Sequence, residues 1–269
     1  MAFSAPPPPL KRLGQNFLID PNIVRKIVSL AALRPEETVL EIGPGRGALT
    51  EALCAAAGRV IAVELDPQLG PYLREQLGHL ANLDLRIGDA IEFPFETLPS
   101  GAVVVANLPY YASTPILFAL LDARARLGRL VLMLQTEVAL RLAAKPGSKD
   151  YGILSVLTQD AAEVELAFRV SPNCFRPRPE VGSTVVRLNM KPRRRDRAAH
   201  DESFRRLVRA AFAHRRKMLL NSMRDEGYSA DRVARAIERA GLSLQTRAEE
   251  LTVDDYHRLA SALEEREQV

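Results

Sequence analysis

Thr38-Val39-Leu40-Glu41-Ile42-Gly43-Pro44-Gly45-Arg46-Gly47 is the stretch that decides the fold. Its first five residues read as a β-strand, its glycines as a tight turn, and Ala48 to about Ala57 as the helix that the turn feeds. Glycines let the backbone approach a ligand closely, and a helix N-terminus favours an anionic group. A second strand, Arg59 to Leu65, carries Glu64 at its end with Asp66 just beyond, placing an acid 21 positions after Gly43. That spacing suits a ribose hydroxyl pair. With Ala48 in the sixth position the turn also satisfies the dinucleotide fingerprint G-x-G-x-x-A, so this element alone does not separate a nicotinamide cofactor from S-adenosylmethionine.

Working outward, Leu83 to Ile87 reads as a third strand running into Gly88-Asp89-Ala90. Asp89 can accept from the adenine amine of a bound cofactor, or simply form the turn. Gly101 to Ala106 reads as a fourth, buried strand, and it ends in Asn107-Leu108-Pro109-Tyr110. Ligands bind at the carboxyl ends of strands in an open α/β sheet. The Asn107 carbonyl and a backbone carbonyl beside proline are two acceptors, and Tyr110 offers a stacking surface. Together they suit a flat ring bearing an exocyclic amine. Acceptors that draw both amine hydrogens toward them favour a pyramidal nitrogen, which would make adenine N6 attack an electrophile. Taken in isolation, Asn-x-Pro-aromatic reads equally well as a strand-ending turn; three neighbouring strand ends fit for a nucleotide-like cofactor favour the site.

The chain has 269 residues, 47% hydrophobic and 26% charged, which describes a globular protein of one large or two smaller domains with a sizeable core. Residues 1–10 are expected to be a disordered proline-rich tail and not a signal peptide. No apolar run approaches the length of a membrane span. Cys54 and Cys174 show no metal-ligand or redox spacing and read as free thiols in a reducing cytoplasm. The charge is uneven. Lys191 to Lys217 holds eleven Lys or Arg against three acids, within a chain whose net charge is only +4. A basic segment on an otherwise acidic protein points to a polyanion such as nucleic acid, or else is a solvated linker and helix face.

Residues 11–190 therefore read as an α/β cofactor domain and 191–269 as a small helical domain. Asp20-Pro21 is an N-cap and first-turn pair for a helix with Ile23, Val24, Ile27 and Val28 on one face. Leu130 to Gln135, Ala161 to Val170 and Thr184 to Asn189 read as further strands, the last two as a hairpin-like edge pair. Lys145 to Asp150 reads as a surface turn or an RNA-contacting lid, and Ser171 to Ser183 as a proline-rich connection able to wall a target-base pocket. Beyond Lys191, Phe204, Leu207, Val208, Ala211 and Phe212 repeat at helical spacing, and Thr252-x-x-Asp255 is a capping box.

As a set, Glu41 to Gly47, Glu64, Gly88-Asp89 and Asn107-Leu108-Pro109-Tyr110 resemble the motifs of S-adenosylmethionine-dependent adenine N6-methyltransferases. Gly14-Gln15-Asn16-Phe17-Leu18 narrows the resemblance to ribosomal RNA adenine dimethyltransferases of the bacterial KsgA type, with their eukaryotic Dim relatives. Further matches are Gln135-Thr136-Glu137-Val138-Ala139-x-Arg141, Tyr151-Gly152-x-Leu154-Ser155, Phe175-x-Pro177-x-Pro179-x-Val181-x-Ser183 and Arg215-Arg216-Lys217. The resemblance runs from about residue 11 to the end.

It implies a Rossmann-like methyltransferase fold with a mostly parallel sheet and an all-α C-terminal domain. Asn16, Leu18, Gly43, Gly45, Glu64, Asp89, Ala90 and Asn107 would bind S-adenosylmethionine. Asn107, Pro109 and Tyr110 would carry catalysis. Leu108, Tyr110, Phe175, Arg215, Arg216 and Lys217 would contact the substrate, Phe175 on the second face of the target base. The implied reaction is dimethylation of two adjacent adenosines in the 3′-terminal hairpin of 16S ribosomal RNA within a maturing small subunit, by a monomer that needs no metal. Tyr111-Ala112, where the family usually has Asn-Ile, and Glu180, where Lys is common, depart from the pattern. Rival readings are a large-subunit dimethyltransferase of the Erm type, a non-catalytic RNA-binding assembly or transcription factor, and a nicotinamide-dependent oxidoreductase.

Overall fold

The structure is a computed structural model that describes residues 5–192, 198–214 and 216–264. Met1 to Ser4 of the expected tail, the arginines Arg193 to Arg195 and the proposed RNA contact Arg215 lie outside the described residues. In chain order the elements are β1 (Phe17–Leu18), α1 (Pro21–Ala31), β2 (Thr38–Ile42), α2 (Thr50–Ala56), β3 (Arg59–Glu64), α3 (Leu69–Leu77), β4 (Leu83–Ile87) and β5 (Ala102–Asn107). They continue with α4 (Ser113–Asp122), β6 (Leu127–Gln135), α5 (Thr136–Leu142), α6 (Ile153–Ala161), β7 (Ala162–Val170), β8 (Phe175–Arg176) and β9 (Ser183–Met190). Four helices follow: α7 (Ala198–Phe212), α8 (Leu219–Asp225), α9 (Ala230–Arg239) and α10 (Val253–Glu264).

Seven strands form one sheet in the order β4-β3-β2-β5-β6-β9-β7. The first five run parallel, and β9 runs antiparallel to β6. The chain steps outward from β2 through β3 to β4 and then returns to place β5 on the other side of β2. The strand order therefore reverses between β2 and β5, and a crevice opens there at the strands' carboxyl ends. Val103, Val104 and Val105 of β5 are all fully buried. A strand covered on both faces reads as an unbroken apolar run, which is what Ala102 to Ala106 shows. The expected edge pair is recovered as neighbours, but β9 is inserted between β6 and β7.

Asp20 caps α1 as expected, accepting from the Asn22 amide at 2.8 Å. At the other end of this helix Ala32 takes a left-handed conformation, φ 46°. Arg129 of β6 fastens that end: Nε donates to the Ala31 carbonyl at 2.6 Å and Nη2 to the Ala32 carbonyl at 2.8 Å. The same guanidinium forms a two-pronged pair with the buried Glu37 carboxylate at 2.9 and 2.7 Å.

The chain divides into two compact units, Met1–Ala139 with Glu163–Lys191, and Leu140–Ala162 with Pro192–Val269. A single boundary near residue 190 is thus too simple, because the segment 140–162 packs with the C-terminal helices. Within that second unit the Tyr151 hydroxyl donates to the Leu251 carbonyl and the Tyr256 hydroxyl to the Ala248 carbonyl, each at 2.8 Å. The Phe212 ring lies within 6.3 Å of Tyr151 and 6.1 Å of Tyr256. Lys145 to Asp150, read as a turn or lid, is tied down through the Gly147 amide, which donates to the Glu249 carbonyl at 2.7 Å. The capping box of α10 is present, with Asp255 accepting from the Thr252 amide at 2.8 Å and its own amide donating to the Thr252 hydroxyl at 3.1 Å.

Candidate active site

A cleft of about 240 Å³ lies at the carboxyl ends of β2, β3 and β5, wholly within the first unit. Every cofactor residue expected from the sequence lines it: Asn16, Leu18, Gly43, Gly45, Glu64, Asp89, Ala90 and Asn107. So do Leu108, Pro109 and Tyr110. The glycine turn after β2 is held in positive φ, 68° at Gly43 and 60° at Gly45, a region that disfavours residues with a Cβ. At Gly45 a Cβ would also come within 2.9 Å of the Phe17 ring. Glycine is required here by the turn and by the N-terminal segment packed over it.

Glu64, nearly buried at the end of β3, accepts from the Gly45 amide at 3.0 Å and from the Asp66 amide at 2.9 Å. Burial pushes its pKa upward, and these amide bonds pull it back only in part. Each carboxylate oxygen has a second lone pair, so the group can still receive a ribose hydroxyl pair. Asp89 accepts from the Ile91 amide at 2.8 Å through Oδ1, so it forms its turn and also faces the cleft. Gln15, whose role the sequence did not disclose, donates to Asp66 at 2.9 Å and ties the N-terminal segment to the loop after β3. The residues fit a nucleoside with a charged amino-acid tail: a glycine cradle, the Glu64 carboxylate beside it and the Asp89 carboxylate in the loop after β4.

Asn107 is half-buried, and its Nδ2 donates to the Asn16 carbonyl at 3.2 Å. That bond assigns the amide's orientation and leaves Oδ1 as an available acceptor. The Pro109 carbonyl accepts from the Ala112 amide at 3.1 Å and retains a second lone pair. Tyr110 is half-buried, with its hydroxyl 2.8 Å from the Ser183 hydroxyl. The expected role of Leu108 narrows: its side chain is buried, leaving only its backbone to meet a substrate.

Phe175, expected against the target base, lies elsewhere. It is fully buried, belongs to the core with Leu18, Ile23 and Ile27, and does not line the cleft. Pairing of β8 with β1 sets Phe175 opposite Leu18, and strand alternation then turns Arg176 outward and Phe175 inward. The proposed RNA contacts Arg216 and Lys217 belong to the second unit, and both are exposed. Lys217 is already paired with Asp225 at 2.7 Å. Arg206 and Arg209 are exposed on α7, opposite its buried Phe204, Leu207 and Val208. Tyr111 and Ala112, the departures after the tetrapeptide, line the cleft, Tyr111 with half its surface exposed.

Glu41 is the other residue that the sequence did not single out. It is fully buried at the cleft floor, its Oε2 has no hydrogen-bond partner among the described residues, and the Thr50 hydroxyl lies nearby outside bonding geometry. Burial, reinforced by Glu64, raises its pKa from the ordinary 4.5 to about 8. A folded-state pKa above the unfolded value means that the stability this one carboxyl contributes is fully present below pH 4.5 and is lost as pH rises toward 8. Glu41→Gln should flatten that decline in the cofactor-free protein and raise its thermal midpoint at pH 8. Parallel pH profiles of wild type and variant would show Glu41 ionised in the fold.

Residues 10–265 match the ribosomal RNA adenine dimethylase family. The chain belongs to that family. Ribosomal RNA small subunit methyltransferase A of Moorella thermoacetica is 43% identical over 95% of this chain and 93% of the relative. The protein of the same name from Geobacter metallireducens is 41% identical, covering 94% of each chain. Among solved structures, a dimethyladenosine transferase from Plasmodium falciparum superposes with a TM-score of 0.76 at 26% identity, over 90% of this chain and 95% of that one. The 23S rRNA methyltransferase ErmE gives 0.70 at 28% identity, over 93% and 100%. The family member described here is thus an S-adenosylmethionine-dependent rRNA adenine methyltransferase with the methyltransferase fold. No helix among the described residues is long and apolar enough to cross a membrane.

Proposed function

We propose that this enzyme dimethylates N6 of two adjacent adenosines in the 3′-terminal hairpin of 16S rRNA in the maturing small subunit, acting as a cytoplasmic monomer. The observation that carries the chemistry is the Asn107 amide, which is anchored to the Asn16 carbonyl with its oxygen available at the cleft. Support for the small-subunit substrate comes from relatives bearing that name at 41–43% identity along nearly their whole length.

Bound S-adenosylmethionine supplies an electrophilic methyl group on a sulfonium. Asn107 Oδ1 and the Pro109 carbonyl each accept one N–H of the target amine, and Tyr110 stacks on its base. With both hydrogens drawn to acceptors, the nitrogen lone pair is directed at the methyl carbon. Held by the glycine turn, Glu64 and Asp89, the cofactor would give up its C–S bond as the amine gains a C–N bond, and the ammonium formed on the base would lose its proton to water. The monomethylated amine then repeats the step through its remaining hydrogen. Arg206, Arg209, Arg216 and Lys217, in the second unit, hold phosphates and position the RNA without reading its bases.

The test is to incubate the enzyme and labelled cofactor with small subunits lacking the modification, with unmodified large subunits in parallel, and to map dimethyladenosine. Label at the adjacent 3′-terminal adenosines of the small-subunit RNA is the expected result. Label confined to large-subunit RNA would assign the enzyme to the ErmE type of substrate instead.

A further inference from the structure

We propose that Ser183 is a positioning residue for methyl transfer: its buried hydroxyl holds the Tyr110 phenol and so fixes the pitch of the ring on which the target base stacks. The inference rests on the reading of Tyr110 as the stacking surface.

Ser183 stands 73 positions from Tyr110 in sequence, is completely buried at the start of β9, and places its Oγ 2.8 Å from the Tyr110 Oη. Stacking alone does not require the phenol oxygen, because a phenylalanine ring presents the same face. The hydroxyl matters here because it gives the ring a fixed point. A tyrosine ring held only at Cα pivots about two side-chain bonds; a hydrogen bond at Oη fixes the direction of the ring's long axis and, because the phenol O–H and oxygen lone pair prefer the ring plane, favours one rotation about that axis.

Ser183 is itself held firmly. Antiparallel pairing of β9 with β6 sets it opposite Gln135. On one side of it the Gly182 carbonyl accepts from both the amide and the hydroxyl of Thr136 at 3.0 Å. On the other, the Thr184 and Thr136 hydroxyls are 3.1 Å apart. The backbone end of Tyr110 is fixed too, its carbonyl accepting from the Ser113 hydroxyl at 3.2 Å. A buried serine hydroxyl without a partner would be costly, and the Tyr110 phenol is that partner. Burial raises the phenol's pKa, so it remains a neutral hydrogen-bonding group through the working pH range. Ser183 does not line the cleft, so it acts on the reaction through the ring and not by touching cofactor or base.

Turnover on unmodified small subunits should be measured for Ser183→Ala, Tyr110→Phe and the double variant, with cofactor affinity and thermal midpoint alongside. Each single change should lower kcat by about tenfold, the scale of a sub-ångström misplacement at a reacting centre, and the double variant should be no slower than either. Cofactor affinity should stay at the wild-type value. Wild-type kcat in Ser183→Ala, or losses that multiply in the double variant, would overturn the proposal. A Ser183→Ala loss that persists in full in the Tyr110→Phe background would mark a general packing defect and equally overturn it. Tyr110→Ala separates the two levels: if it retains full turnover, the stacking surface itself is misassigned, whereas its failure beside an active Ser183→Ala removes only the tether.

Discussion

Replacing Asn107 by alanine is expected to lower methyl transfer by about two to three orders of magnitude, the scale of losing one preorganised polar group at a reacting centre. The substitution removes the acceptor that holds one hydrogen of the target amine, and it leaves the Asn16 carbonyl without its 3.2 Å donor. Asn107 is half-buried at a strand end, so the fold should survive. Cofactor affinity should fall far less than kcat, because the glycine turn, Glu64 and Asp89 are untouched. Asn107→Asp sharpens the test. It keeps an acceptor but no longer donates to Asn16, so its side chain loses the orientation that the amide is given. Slow turnover in both variants would mean that orientation and acceptor are both needed. Single-turnover kinetics report the step directly, and wild-type rates in Asn107→Ala would remove this residue from the mechanism.

The largest expected loss of stability lies far from the cleft. Arg129→Ala should destabilise the first unit by about 3 kcal/mol, because it removes the two-pronged partner of the buried Glu37 carboxylate, leaving it only the Arg34 guanidinium at 2.8 Å and the Arg34 amide at 2.9 Å, and takes the donors from two carbonyls at the end of α1. At the size of this unit, that corresponds to a fall in thermal midpoint on the order of 10 °C. The Arg129 and Glu37 side chains are only 14% and 7% exposed, so solvent offers little compensation. The pair also has a pH signature. The Arg129 guanidinium, hydrogen-bonded to the carboxylate, lowers the pKa of Glu37 from 4.5 to about 2. A depressed folded-state pKa contributes stability above pH 4.5 that is lost as pH falls through 2, so the gap between wild type and Arg129→Ala should narrow across that window. Adding Glu37→Gln to Arg129→Met should restore part of what the single change loses. A midpoint unchanged by Arg129→Ala would show the pair to be dispensable.

How legible these features were depends on how local they are. The glycine turn, Glu64 and the Asn107 tetrapeptide each follow directly from a β-branched run, so the sequence pattern alone puts them at strand ends, and parallel topology then collects strand ends at one crevice. Strand order is not local in this sense. Nothing in Thr184 to Asn189 says that β9 lies between β6 and β7, because its alternation fits either neighbour. The inward turn of Phe175 is hidden for a similar reason: the two-residue pairing that produces it joins segments more than 150 residues apart.

The same holds for side chains that act over distance. Arg129 and Glu37 are 92 residues apart, and neither stands in a motif. Segment 140–162 follows β6 without a break in composition, and its membership of the helical unit rests on Tyr151 reaching the Leu251 carbonyl, 100 residues away. Glu41 was visible in the deciding stretch as a strand residue. Its burial without a hydrogen bond to Oε2 depends on what covers it in three dimensions.

The cleft is expected to hold the cofactor with its sulfur directed at Asn107, and a crystal structure with S-adenosylhomocysteine, the methyl-depleted cofactor, would show whether it does. The expected result has the ribose hydroxyls on Glu64, the adenine amine on Asp89 and the sulfur facing the Asn107 side chain across a gap that one methyl group fills. A cofactor seated with its sulfur turned away from Asn107, or with its ribose clear of Glu64, would take Asn107 out of the methyl transfer or Glu64 out of the cofactor site.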